Sequence, residues 1–570
     1  METTNLSKIR RDKMLETIKE IKKNITDETT LDNLSMIENE LTKKKYGLVW
    51  EEHEEKVDIE LKNKIPTFEE DVDKEIIGNS NEYFNFLLEG DNLHSLYLLE
   101  KTHKDRIDLI YIDPPYNTGN KDFIYSDSAI DLEDGFRHSK WLSFMSKRLK
   151  IARKLLSDRG VIFISIDDNE QSQLKMLCDE IFGEEHFLGL ITVVGNPRGR
   201  DYGGIAKMND YILVYSKTSK YILNKIEDEE HKFKTTDEYG GFELRELRNR
   251  NIKFNDNNRP NLCYPFYVNP NDFDEHNLLS ISLEKDETHT IEVMPAKSQG
   301  IQTVWRWGKE KSLKNLNINI KAKKMKEEGR YMIVEKYRDE KVMPRSVWWD
   351  KNTNTEKGTL LLKEILGDKS FDYPKPVELI QRICEMGTDK DSIVLDFFAG
   401  SGTTGQAVMN LNKVDNGNRK FILCTNNENN ICENVTYRRL KNIIDGYTNS
   451  KNEFIKEYDS INLKYYRTDN IARINTEEEV LNINLMKNIK NLIQLENGIK
   501  IDNKRIQVYL DEETFDKFTN NKELLDICDK VYISSDILIT SEQEMILENN
   551  NIKVYVIPEY YFEDEIMEVA

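Results

Sequence analysis

Cysteine is scarce in this chain: six residues in 570, at 178, 263, 384, 424, 432 and 528, with no C-x-x-C among them. So thin a set argues for reduced thiols and against a disulfide framework or a zinc ribbon. The eight histidines show no H-E-x-x-H and no other ligand spacing, so no metal site is expected. Long apolar runs are missing too, since nothing approaches the ~18 uninterrupted residues of a membrane span. The opening METTNLSKIRRDKML is charged without an apolar segment, so no signal peptide and a cytoplasmic location are expected. Positive charge is also in deficit: 82 basic residues face 103 acidic ones, a net −21. That balance speaks against a general basic footprint for nucleic acid.

Hydrophobic residues at 38% and charged residues at 32% are a globular balance with a wet surface. The length is well past the roughly 250–300 residues at which a single core stops growing, which implies two or three domains. The acid is concentrated at the ends: residues 1–80 hold 14 basic and 20 acidic residues, and residues 451–570 hold 14 and 25. Trp305 to Arg345 holds 13 basic against 6 acidic residues. A solvated face is the commoner meaning of such a stretch, a binding patch the rarer one.

Residues 1–80 are Lys/Glu-rich with helical spacing at Met14, Ile18 and Ile21, which predicts helices outside the main core. From 81 to 197 the grammar is strand, helix, strand: Arg106–Ile112, a long amphipathic helix over about 139–157, then Val161–Ile166. Residues 198–345 are irregular, with Gly203-Gly204, Gly240-Gly241 and short strands such as Tyr211–Tyr215, and read as an insertion with its own fold. The strand–helix–strand grammar returns in 346–450, at Ser392–Phe397, a helix through Leu411, and Lys420–Cys424. Residues 451–570 suggest a small acidic α/β appendage with strands at Lys530–Ile533 and Ile552–Ile557. The fold class is therefore α/β, a doubly wound Rossmann-like sheet with an inserted domain and helical and α+β flanks.

One chemical motif is Asp396-Phe-Phe-Ala-Gly400-Ser-Gly402-Thr-Thr-Gly405, set between a strand and a helix. Its glycines permit a tight turn, close backbone approach to a ligand and close helix packing. A phosphate loop needs Lys and Ser/Thr after the last glycine, where Gln406-Ala407 stand, so ATP chemistry is disfavoured. A dinucleotide fingerprint matches literally, yet the acidic ribose ligand falls near Thr425-Asn426-Asn427-Glu428, where only Glu428 is acidic. S-adenosylmethionine has no phosphate and tolerates a loop led by Asp396 and Phe398, so it fits at least as well. A glycine-bearing turn without ligand stays open beside these readings.

The second motif, Asp113-Pro-Pro-Tyr116, follows a strand directly. Two prolines remove two backbone donors and stiffen the chain, presenting Asp113, the carbonyl of Pro114 and the Tyr116 ring after Pro115. For two prolines alone, a plain loop-starting turn would be the better reading. A carboxylate acceptor, a fixed carbonyl and an aromatic face together complement an exocyclic amine on a flat ring, as in adenine. If the strands before the two motifs are neighbours where strand order reverses, both motifs face one crevice.

The order D-P-P-Y before F-A-G-S-G, with a long insert between, resembles the β-class of amino-methyltransferases acting on DNA. The strings Asp113–Asn120, Phe136–Trp141, Val161–Glu170, Val304–Gly308 and Tyr373–Ile380 are similar to the modification subunit of Type III restriction–modification systems. The resemblance covers about 80–440. It implies methylation of adenine N6 from S-adenosylmethionine in double-stranded DNA, with residues 198–345 as target recognition domain, a helicase–nuclease restriction subunit as partner, and a homodimer. By motif position it implies a catalytic turn of Asp113, Pro114, Pro115 and Tyr116. For the cofactor it implies Asp396, Phe398, Ala399, Gly400, Ser401, Gly402 and Thr403, the preceding Lys375 and Pro376, and Asp91 and Asn92 on the adenine side, with Glu428 as a substitute ribose ligand. Arg198, Arg200, Trp305, Arg306, Trp307 and Lys309 alternate base and aromatic, as phosphate contact and stacking would need, although core packing of the tryptophans is the readier reading. Other readings remain open: a solitary methyltransferase, a cytosine-N4 enzyme, a non-catalytic DNA-binding subunit, and a nicotinamide oxidoreductase using the glycine loop.

Overall fold

Runs such as Ile107-Asp-Leu-Ile-Tyr-Ile112 alternate very little, the pattern of strands covered on both faces. The computed structural model describes residues 6–23, 25, 27–42, 50–78, 83–119, 123–125, 128–129, 135–199, 204–227, 233–327, 329–456, 458, 461–472, 478–558 and 561. It divides the chain into two units, Met1–Asn224 together with Arg345–Ala570, and Lys225–Pro344.

The first unit is built on a ten-stranded sheet. In chain order its strands are β1 (Lys64–Glu70), β2 (Phe84–Glu89), β3 (Ile107–Ile112), β4 (Leu156–Ile166), β5 (Phe187–Val194), β6 (Asn209–Ser216), β7 (Val347–Trp348), β8 (Ile393–Asp396), β9 (Lys420–Thr425) and β10 (Asn462–Ala472). Across the sheet they run β1-β10-β2-β9-β8-β3-β4-β6-β5-β7. The central five, β2, β9, β8, β3 and β4, are mutually parallel. β6 is antiparallel to both of its neighbours, and β1 is antiparallel to β10.

Seven helices matter for the site: α1 (Asn92–His103), α2 (Arg137–Leu155), α3 (Gln171–Phe182), α4 (Val377–Gly387), α5 (Thr403–Asp415), α6 (Arg438–Asp445) and α7 (Glu478–Asn497). Ile110, Ile162, Leu395 and Ile422 form one core with apolar residues of α1, α2, α3 and α7. Their strand neighbours serve the opposite face, where Leu109 and Val161 lie against Gly387 of α4 and Leu423 against Gly405 of α5. Alternation of side chains along a strand thus fills two layers.

The chain passes from β3 through α2 to β4 on one side and from β8 through α5 to β9 on the other. Strand order therefore reverses between β3 and β8, where Leu109 pairs with Val394 and Ile110 with Leu395. At such a reversal the carboxyl ends of neighbouring strands diverge and leave a crevice. The Asp113 turn and the glycine loop leave these two ends.

Three expected boundaries move. β6 lies within 198–345, yet its Ile212, Leu213, Val214 and Tyr215 are buried in the main sheet between β4 and β5. The autonomous unit is Lys225–Pro344, a seven-stranded sheet with its own core of Tyr264, Phe266, Val268, Ile281, Trp305 and Ile333. β1 and β10, placed by sequence in the two flanks, pair with each other from Lys64↔Ala472 to Glu70↔Tyr466. Only the last part of the C-terminal flank makes a separate small sheet, of Ile506–Tyr509, Lys530–Ile533 and Lys553–Val556, around Phe515, Phe518 and Val531. Pairing between remote segments leaves no local trace, which is why composition misplaced these edges. No helix among the described residues is long and apolar enough to cross a membrane.

Candidate functional site

The turn after β3 is pinned from behind. Trp141 of α2, fully buried, donates from Nε1 to the carbonyl of Pro115 at 2.8 Å. Asn117, also fully buried, holds a left-handed backbone at φ 57° and donates its amide to the Arg137 carbonyl at 3.3 Å. With Pro114 and Pro115 limiting the backbone, Asp113 and Tyr116 have little freedom left. The Tyr116 hydroxyl donates to Asp113 Oδ1 at 2.8 Å.

Lys375 closes this group from the other side of the reversal. Its ammonium donates to the Tyr116 hydroxyl at 2.6 Å and lies 3.4 Å from Asp113 Oδ1 and 3.7 Å from Asp210 Oδ2. Burial opposes the charge, but Asp113 and Asp210 outweigh it and hold the Lys375 ammonium above its ordinary range. Burial next to Asp113 and Asp210 raises the Tyr116 hydroxyl well above its usual value. Both groups therefore keep their protons at neutral pH, and the cluster is two carboxylates against one ammonium. The remaining negative charge suits one cationic ligand.

The glycine loop begins at Asp396, whose Oδ1 accepts from the backbone N–H of Phe398 at 3.0 Å and whose Oδ2 accepts from the Thr404 hydroxyl. Burial pushes the Asp396 carboxyl up to about 7 against those two hydrogen bonds, with Asp113 adding to the rise. Ala399 N–H donates to the Cys424 carbonyl of β9 at 3.0 Å, tying the loop to the next strand. Gly402 caps α5 at φ 77° with no side-chain cap. A Cβ there would meet Thr436 Cγ2 at 3.1 Å. Arg439 of α6 lies fully buried below the loop and donates to Ser401 Oγ at 3.1 Å, Thr403 Oγ1 at 2.8 Å and Gln406 Oε1 at 2.8 Å. Burial lowers its guanidinium to about 10, against smaller opposing contributions from Tyr458 and Tyr447.

The two motifs share aromatic packing, since Tyr116 and Phe398 lie on the same core and Phe398 is 5.8 Å from Phe144 of α2. Asn92 joins them by donating to the Phe397 carbonyl at 2.8 Å, while buried Arg148 donates to Asn92 Oδ1 at 2.5 Å and to Asp91 Oδ1 at 3.3 Å. Asp91 also caps α1 through Leu93 N–H. Pro376 caps α4, and the Lys375 carbonyl accepts from Thr403 at 3.4 Å. Lys375 thus touches α5 with its backbone and the Asp113 turn with its ammonium. Glu428 is exposed beyond β9. Asp210, Arg148 and Arg439 escaped the sequence reading, and Trp141 entered it only as the end of the string Phe136–Trp141. For Asp210 the available signal was the apolar run Tyr211–Tyr215, a core-strand pattern with an acid at its start.

Of the six insert residues, Trp305 is core, donating from Nε1 to the Tyr264 carbonyl at 2.7 Å, and Arg306 is paired with Glu335 at 2.6 Å. Trp307 packs partly buried against that core under the Lys311 ammonium, 4.0 Å from its ring. Lys309 lies 5.6 Å from the Tyr264 ring. Arg198 is exposed in the first unit, and Arg200 lies outside the described residues.

Residues 107–437 match the N6/N4 methylase family model, described as DNA methylase. The Type III restriction-modification enzyme EcoPI Mod subunit of Escherichia phage P1 is 35% identical over 436 residues, 70% of this chain and 66% of that protein. The chain thus spans slightly under two thirds of that subunit. The Type II methyltransferase M.KpnI of Klebsiella pneumoniae is 34% identical over 65% of this chain and 87% of its own length. Among solved structures, the M1.HpyAVI–SAM complex aligns over 62% of this chain and 98% of its own at 15% identity and a TM-score of 0.30.

Proposed function

The chain belongs to the N6/N4 DNA methylase family, and from that premise we propose that it methylates the N6 amine of an adenine extruded from double-stranded DNA, using S-adenosylmethionine, as the modification and recognition subunit of a Type III restriction–modification system. The carrying observation is the adjacency of β3 and β8, which sets an amine-accepting turn beside a glycine loop. The residues fit the methyl donor: no lysine follows the loop to meet phosphates, and the Asp113, Asp210 and Lys375 cluster leaves one negative charge for a sulfonium.

When bound, S-adenosylmethionine supplies an electrophilic methyl group. Extruding the base costs a few kcal/mol of pairing and stacking. The Tyr116 ring offsets part of this by stacking, about 1–3 kcal/mol by comparison with other base–aromatic contacts. Asp113 and the Pro114 carbonyl would accept the two amine hydrogens, leaving the nitrogen lone pair free for the methyl group that the donor supplies. In the free protein Asp113 Oδ1 is held by the Tyr116 hydroxyl, so the amine replaces or joins that bond. The carboxylate then stabilises the positive charge that develops on nitrogen. Trp141 and Asn117 keep these groups in position, and positioning alone lowers such barriers by several kcal/mol. None of the six cysteines is needed as a nucleophile.

Residues 225–344 serve as the target recognition domain in this reading, and a helicase–nuclease subunit and a second copy of the chain are its partners. A stand-alone methyltransferase is the second reading, favoured by the 87% coverage of M.KpnI. Expression in a methylation-free host with base-resolution mapping tests the first: N6-methyladenine at one recurring sequence is expected. Methylated cytosine N4, or unmodified DNA with soluble protein present, overturns it. A helicase–nuclease polypeptide that co-purifies and cleaves unmodified DNA separates the subunit from the solitary enzyme.

A further inference from the structure

Phe136–Trp141 and Val161–Glu170, two of the family-like strings, meet behind the Asp113–Tyr116 turn. The Asn117 amide donates from Nδ2 to Glu170 Oε1 at 2.6 Å, and His138 Nδ1 lies 2.6 Å from the same oxygen. Neither Asn117 nor Glu170 has accessible surface. Arg137 Nε donates to His138 Nε2 at 3.3 Å, which leaves the ring proton on Nδ1. Both donors therefore converge on Oε1. Two buried acceptors, Asn117 Oδ1 and Glu170 Oε2, are left without a hydrogen-bond partner among the described residues, as is the buried Arg137 Nη1 donor, which reaches neither of them. Flipping the amide does not help, because Oδ1 would then face the Arg137 carbonyl and Glu170 Oε1.

One proton on Oε2 would supply a partner to both orphans. Glu170 and Asn117 are flat heads already joined at one corner, and an Oε2–H bond to Oδ1 would close the second corner into a cyclic acid–amide pair. We propose that Glu170 is a positioning residue kept as a neutral acid, paired face to face with Asn117, and that this pair locks the turn carrying Asp113 and Tyr116. The functional half of the proposal rests on the base-binding role given to that turn.

The charged surroundings agree. Burial pushes the Glu170 carboxyl up to about 8, against the Asn117 bond and Arg137 and with Asp167 adding to the rise. From α2, Arg137 and His138 face it, and burial and Arg137 keep His138 neutral. From the loop after β4 come Asp167 and Asp168, both paired with Lys207 at 3.0 and 3.3 Å. Loss of the Glu170 proton would set a carboxylate oxygen against Oδ1 and open the second corner.

Glutamine at 170 reproduces the neutral acid, with an N–H where Glu170 would have O–H. The test compares the wild type, Glu170→Gln and Glu170→Ala from pH 6 to 9.5, measuring methylation, cofactor affinity and the carboxylic-acid carbonyl stretch by difference infrared spectroscopy. The wild type should lose kcat as pH rises through about 8 and show an acid carbonyl band at pH 7 that the glutamine variant lacks. Glu170→Gln should keep kcat at pH 7 within about threefold and lose the alkaline limb, while Glu170→Ala should fall at least about tenfold with cofactor affinity unchanged. A glutamine variant as inactive as the alanine one, an alkaline limb surviving in it, or no acid band in the wild type overturns the proposal. An absence of methylation in every form would count against the methyltransferase reading, while the infrared band would still report the Glu170 proton.

Discussion

Lys375 does two jobs through different atoms, and substitution should separate them. Its ammonium holds the Tyr116 hydroxyl and faces Asp113 and Asp210. Lys375→Met would leave two carboxylates and a buried hydroxyl without their cation. Because both carboxylates are partly exposed, we expect about 1–3 kcal/mol of stability to be lost, read by denaturant unfolding. Methylation should drop far more than cofactor affinity. Asp113→Ala should abolish methylation with cofactor affinity kept within a few-fold, and retained turnover would refute its role. Asp396 yields a pH prediction, since its carboxyl is pushed up to about 7. A cation on the loop favours the ionised form, so affinity for S-adenosylmethionine should rise as pH climbs through about 7. S-adenosylhomocysteine, without the sulfonium, should show a weaker slope by calorimetry. Asp113 and Tyr116 could be read from sequence because two prolines leave a turn few other shapes. Asp210 was missed, since its approach to Lys375 depends on where β6 sits in the sheet, which the run Tyr211–Tyr215 alone does not say.

At the scale of elements, the proposed chemistry sits at two strand ends, where glycines set the backbone geometry. Gly402 opens α5 in the left-handed region at φ 77°, and an alanine there would also press on Thr436. Gly402→Ala should cost about 1–3 kcal/mol in strain and weaken cofactor binding, measured by thermal shift with and without ligand. Gly90 is stricter: at φ 139° its Cβ would come within 1.8 Å of Thr468 Oγ1 of β10. The parallel strands were legible because burial on both faces demands unbroken apolar runs. Sequence gave Arg106–Ile112 and Lys420–Cys424 where β3 is Ile107–Ile112 and β9 is Lys420–Thr425. The antiparallel edge was not, for Tyr211–Tyr215 fits an insert as readily as a sheet until its neighbours are known.

At the scale of the whole molecule, the chain divides into two compact units with separate sheets, the first of which also carries the small C-terminal sheet and its core. Expressed alone, Lys225–Pro344 should unfold cooperatively in urea, because its aromatic cluster closes within its own strands; a featureless transition would contradict that. The net charge of −21 was a poor guide to partners, because the acidic excess is weighted to the chain ends. Where β6 ends also bears on how recognition is exchanged. A graft that cut at 198 would carry off β6, an inner strand of the main sheet, and with it Asp210 beside Lys375. Joining donor and host after Asn224 instead leaves both in place, so that, under the proposed function, Lys225–Pro344 becomes a replaceable cassette with the Asp113–Lys375–Asp210 cluster unaltered.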